Sequence, residues 1–130
     1  MNAAPFYLHE SDSRIMRKKD RIELSIWMEH LEFIGEELKY LHELENRIVH
    51  DHPLFLQLQQ IRRESALKSA RLYRYELSMR NSLECDDLQC DAYYLHNHER
   101  HRALYMEFVR DFRAFKKKLF VKLLNKAGRK

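Results

Sequence analysis

The chain predicts an all-α fold, an antiparallel up-down-up bundle of three long helices preceded by a short arm, and three observations predict it. The 130 residues contain only two glycines and two prolines, so the chain has few places to turn sharply. Apolar residues recur at alternating steps of three and four, the repeat that keeps one stripe of a helix facing its neighbours. The repeat is interrupted at two places, around Pro53 and between Cys85 and Asp91, which divides it into three stretches.

Residues 1–20 stand apart as an arm or short helix, with apolar Pro5-Phe6-Tyr7-Leu8 followed by basic Arg14, Arg17, Lys18 and Lys19. The bundle proper spans residues 21–127. Its first helix, over residues 21–50, carries Leu24, Trp27, Leu31, Ile34, Leu38, Leu41 and Ile48, interrupted by Glu45. Ile26, Phe33, Tyr40 and Leu44 widen the stripe on one side, which predicts packing against at least two other helices. Pro53 suits the first turn of a second helix, over residues 53–84, with Asp51 or His52 as its cap. Core candidates there are Leu58, Ile61, Leu72, Tyr73, Leu77 and Met79, with Ala66 and Ala70 allowing close approach. After a break in which Asp86, Asp87 or Asp91 can cap, the third helix runs over residues 88–126 through Tyr94, His98, His101, Tyr105, Phe108, Phe112, Phe115 and Leu119. Short connections make successive helices antiparallel neighbours. Met28, Leu67, Leu104, Val109, Leu123 and Leu124 fall outside the simplest stripes, and this apolar surplus predicts a homo-oligomer.

Composition narrows the function classes. Charged residues make up 34% of the chain, and no apolar run approaches the roughly 20 residues that span a bilayer. The first ten residues lack the basic flank and apolar stretch of a secretory signal, and two cysteines are too few for a disulfide scaffold, so a cytoplasmic protein is expected. Glycine-rich phosphate loops are excluded for want of glycine. The net charge of +4 is unevenly spread. Residues 23–45 hold seven acids against Lys39 alone, and residues 110–130 hold nine bases against Asp111 alone. Such asymmetry fits one helix complementing another, or an acidic partner for the basic end.

The histidines carry the candidate chemistry. Folding the chain at its two turns brings His30, Tyr73 and His101 to about the same layer, with Trp27, Glu76 and His98 one turn away. His98 and His101 occupy positions where apolar residues belong. His30, His98 and His101 with Glu76 form a candidate metal set. Against it stand the lack of any Glu-x-x-His or His-x-x-x-Glu pair and the neighbouring Arg100 and Arg102; buried histidines bonded to Tyr73, Tyr105 or Glu76 account for the same residues. Cys85 and Cys90 match no standard zinc spacing. Lys116, Lys117, Lys118, Lys122 and Lys126 form a candidate anion-binding end for nucleic acid, to which Arg62, Arg63, Arg71 and Arg74 add charge. Against this, Phe112, Phe115, Leu119 and Phe120 suit a helix core better than a stacking platform for bases.

At Trp27, Leu31, Phe33, Glu37, Leu38, Leu41 and Arg47 the first helix resembles a group of small, uncharacterised helical proteins from bacteroidete bacteria, in which a Trp-x-x-x-Leu-x-Phe-x-x-x-Glu-Leu pattern opens a coiled chain. His98, Arg102, Glu107, Phe112 and Phe115 echo the group in the third helix. The second helix departs from it, with only Phe55, Gln57, Gln59 and Gln60 reflecting its aromatic-glutamine stretch. The resemblance implies a helical bundle and no reaction. The expected function is therefore a non-enzymatic interaction or scaffold protein, without cofactor, whose partners are its own copies and another protein.

Overall fold

The structure, a computed structural model, describes residues 12–81 and 88–128, with the side chains of 13, 81, 88–92 and 94 left aside. The described residues form three helices and no strand: α1 (Asp12–Leu44), continued by one π-helical turn (Glu45–Val49), α2 (His52–Asn81) and α3 (Leu88–Ala127). Residues 1–11, the expected end of the second helix at 82–84, Cys85, the caps at Asp86 and Asp87, and the side chains of Cys90, Asp91 and Tyr94 lie outside the described residues. No described helix is long and apolar enough to cross a membrane.

Contacts along the helices set their relative directions. Glu23 bonds Arg102 and Glu37 bonds Lys116, so numbering rises together along α1 and α3. Tyr75 bonds His98 while Asp51 pairs with Lys122, so numbering runs oppositely along α2 and α3. The core lies on the common axis. It takes Leu24, Trp27, Leu31, Ile34, Leu38 and Leu41 from α1, Leu54, Leu58, Leu72, Tyr75 and Met79 from α2, and Phe108, Phe112, Phe115 and Leu119 from α3. Full burial of one such side chain stabilises the fold by about 1.5–3 kcal/mol.

Four details depart from the sequence expectation. First, α1 begins at Asp12, so residues 12–20 extend the first helix. The three-four series continues backward from Leu24 to Asp20 and Arg17, but with polar side chains that hydropathy does not flag; Arg17 is nonetheless buried. Second, Ile48 is exposed and Val49 is buried. The wider π-helical turn absorbs an extra residue and moves the inward position on by one.

Third, α2 turns a different face inward. Tyr73 and Leu77 are 61% and 49% exposed, Ala66 and Ala70 are also exposed, and Tyr75 is 4% exposed. The inward series is Leu54, Leu58, Ile61, Ser65, Lys68, Leu72, Tyr75 and Met79, and Ser65 and Lys68 hide it in the sequence. Fourth, Ile26, Phe33 and Tyr40 do not widen the core stripe: they are 59%, 58% and 73% exposed. Met28, Leu44, Val109 and Leu123 pack partly against the core, whereas Leu67 and Leu124 stay exposed.

The α1–α2 corner explains the lone acid in the first stripe. Glu45 is buried, and its Oε2 accepts the Asp51 backbone N–H at 2.8 Å. His50 turns left-handed at φ 50° and donates its N–H to the Glu45 carbonyl at 2.9 Å. Asp51 then caps α2, its Oδ1 accepting the Leu54 N–H at 3.0 Å.

Candidate functional site

Where α1 and α3 meet near their N-terminal halves, the apolar core gives way to a polar and aromatic layer. The three-four repeat forces this, because it delivers Asp20, His98 and His101 to positions that face the axis. Trp27 is its centre, stacked on the His98 ring at 4.9 Å and on Tyr105 at 5.4 Å. Offset stacking of this kind adds to the stabilisation from burial alone.

His98 is 1% exposed and fully bonded. Its Nε2 lies 2.7 Å from Glu23 Oε1 and 3.4 Å from Asp20 Oδ1, and its Nδ1 lies 2.7 Å from the Tyr75 hydroxyl. An ionised carboxylate only accepts, so Nε2 carries the hydrogen toward Glu23. In the neutral ring Nδ1 then accepts the Tyr75 O–H.

Arg102 closes the layer. Its Nη2 donates to Glu23 Oε1 at 2.7 Å, its Nε to Glu23 Oε2 at 3.2 Å and its Nη1 to Glu99 at 2.7 Å. These bonds hold the Glu23 carboxyl below its ordinary value, with His98 adding to the effect. Burial raises Asp20, partly offset by its interactions with His98 and Arg102. Glu23, then Glu99, raise the Arg102 guanidinium further above its ordinary value.

The expected histidine set is distributed rather than convergent. His30 Nδ1 bonds the Tyr105 hydroxyl, whose own pKa burial raises. Glu76 pairs with Arg80 at 3.3 Å on the surface of α2. His101 lies flat on Tyr75, ring centroids 4.1 Å apart. Tyr73, expected in the same layer, points outward, and Tyr75 takes its place.

Among the described residues, the group whose ligand atoms converge within 4.8 Å is Asp20, Glu23 and His98, which shares only His98 with the expected set. Both Glu23 oxygens already accept from Arg102, and a cation would meet that guanidinium at close range. What the layer does chemically is balance a buried imidazole and two carboxylates against one arginine. Asp20, Glu23 and Tyr75 are the members that sequence reasoning missed, while Arg102 was named there only as a neighbour unfavourable to a metal. The available signal was the backward extension of the α1 repeat.

The basic end is partly neutralised within the chain. Lys116 donates to both Glu37 oxygens at 3.0 and 3.3 Å and sits 5.3 Å from the Phe112 ring, and Lys122 lies 3.4 Å from Asp51. The Lys122 contact and, first, the Leu54 N–H lower the Asp51 carboxyl. Lys117, Lys118 and Lys126 are exposed.

Two surface grooves flank the bundle. One, between α1 and α2, is lined by Met28, Phe33 and Tyr73 together with Glu29, Glu32, Glu36 and Glu76. The other, between α2 and α3, is lined by Pro53, Leu54 and Val121 with Lys117, Lys118 and Lys122, the last paired there with Asp51. Compared with known proteins, the chain matches no family model, no curated protein and no solved structure.

Proposed function

We propose that the protein is a non-enzymatic, cytoplasmic interaction protein that associates with its own copies, the basic groove of one copy meeting the acidic groove of another. One observation carries this: each chain displays two apolar grooves rimmed by opposite charge. Phe33 and Tyr73 are more than half exposed in the first, where Glu29, Glu32 and Glu36 make no ion pair with any described residue. Val121 is 48% exposed in the second, beside Lys117 and Lys118, which are likewise without an ion pair among the described residues. Exposed aromatic area surrounded by charge is the composition of interface cores and rims. Two copies can satisfy both grooves of each other in a reciprocal pair of contacts. The apolar residues that remain outside, among them Ile26 and Tyr40, offer surface to a further protein partner.

Size-exclusion chromatography with light scattering tests the proposal. The expected mass is a multiple of 16.0 kDa, and Glu32→Lys with Glu36→Lys returns it to the single-chain value. A clean monomer of the unmodified chain at micromolar concentration refutes it.

A further inference from the structure

We propose that the pocket formed between α2 and α3 by Arg71, Arg74, Arg100 and His101 binds a compact, multiply charged anion of the phosphate class. Spacing creates the site. Arg71, Arg74 and Ser78 follow one another at steps of three and four on α2, and Arg100 and His101 lie three and four residues beyond Asn97 on α3. The two sets line an open pocket of about 320 Å³, and no carboxylate stands among its described lining residues.

None of the three guanidinium groups makes a hydrogen bond or ion pair with a described residue. Arg47, Arg80 and Arg102, by contrast, all bind glutamates. Three guanidinium charges that share a pocket, with no acidic partner among the described residues, repel one another, and an anion relieves that repulsion. Guanidinium forks match phosphate oxygens in pairs, and Ser78 and Asn97 add neutral donors.

His101 is the second observation. Its Nδ1 is buried without a hydrogen-bond partner among the described residues. Its ring is fixed against Tyr75, which is in turn held by His98. Burial, then Arg71, Arg100 and His98, push its pKa down to about 4. Arg74 also lines the pocket from α2, and the carboxylates of α1, Asp20 and Glu23, reach only as far as His98. A bound anion offsets the arginine charges and allows the imidazole to protonate. The pocket also excludes a nucleobase platform, because Tyr75 is 4% exposed and His101 already covers its ring. The favoured ligand is therefore small and highly charged.

Inorganic pyrophosphate is the probe, titrated into the full chain at low ionic strength by calorimetry and followed by NMR of the His101 imidazole. Expected are a saturable isotherm with one site per chain and a shift of His101 toward its protonated form. Arg71→Gln with Arg100→Gln should weaken binding about tenfold or more. Arg62→Gln with Arg63→Gln should leave it unchanged. Circular dichroism melts establish that each variant is folded, and Arg74→Gln is the alternative should the double variant unfold. The proposal is overturned by no saturation at about 10 mM pyrophosphate, by an unmoved His101, or by equal loss in the variant at Arg62 and Arg63. It is also overturned if a short single-stranded oligonucleotide displaces pyrophosphate completely at lower concentration. Because these substitutions lie outside both charged grooves, the outcome is independent of the oligomeric state.

Discussion

His98 is a buried imidazole whose two nitrogens both have partners, and the cost of disturbing it follows from that. Tyr75→Phe keeps the ring packing but leaves Nδ1 buried and unbonded, so it should destabilise the fold by about 1–3 kcal/mol, read from denaturant midpoints. Glu23 acts through its charge. Its pKa is depressed from an ordinary 4.5, so its stabilisation is present above that value and lost as the pH falls through the folded one. Glu23→Gln should accordingly be less stable than the unmodified chain at neutral pH, and the gap should close in acid. Asp20 is shifted the other way, so Asp20→Asn should cost less at neutral pH than Glu23→Gln.

His101 adds a second window. With its pKa lowered from 6.5 to about 4, its neutral form favours the fold fully above 6.5, and that contribution disappears between those two values as acid is added. Unfolding midpoints of His101→Gln should show a shallower pH dependence across this interval. At this scale the sequence identified which histidines face inward and, in Tyr105, the partner of His30, but not what His98 bonds. The partners Asp20 and Tyr75 are polar residues on stripes recognised by apolar ones, and periodicity of hydropathy is blind to them.

The helices themselves were legible where their inward stripes are apolar. On α1 and α3 the three-four series named the buried residues from Leu24 to Leu41 and from Phe108 to Leu119 correctly. On α2, Ser65 and Lys68 occupy two successive inward positions, and without them the eye settles on Tyr73 and Leu77, which face solvent. The corner at His50 was placed correctly, but the last inward position before it was misplaced by one residue, Ile48 for Val49, because a π-helical turn leaves no trace in composition.

Two substitutions test these elements. Gly35 lies within α1 with an ordinary backbone and open space where a Cβ would sit, so Gly35→Ala should stabilise the protein by about 0.4–1 kcal/mol in thermal or chemical denaturation. Glu45→Ala removes the acceptor of the Asp51 N–H in a buried corner, and should cost about 1–3 kcal/mol by the same measurement.

Across the whole molecule, charge is arranged both to close the bundle and to leave grooves of opposite sign. Glu37 with Lys116 and Asp51 with Lys122 link the acidic and basic segments inside one chain. That accounts for part of the asymmetry visible in the sequence. The unpaired remainder around Phe33 and Val121 is the part assigned to association. Contacts between exposed charges fade beyond about 10 Å at 0.1 M salt. Light scattering in rising sodium chloride should therefore show the associated mass falling, where a purely apolar contact would hold.

One last property follows from the layer around Trp27. Toward the His50 corner the axis is filled by aliphatic and phenyl groups, whereas the opposite extremity depends on ionised side chains. Away from the Glu45 and Asp51 corner, mild acid therefore acts chiefly on one half of the rod. Amide deuterium uptake at falling pH should spread inward from the neighbourhood of Glu23 and Arg102, while the amides near Leu41 and Phe115 stay protected longest.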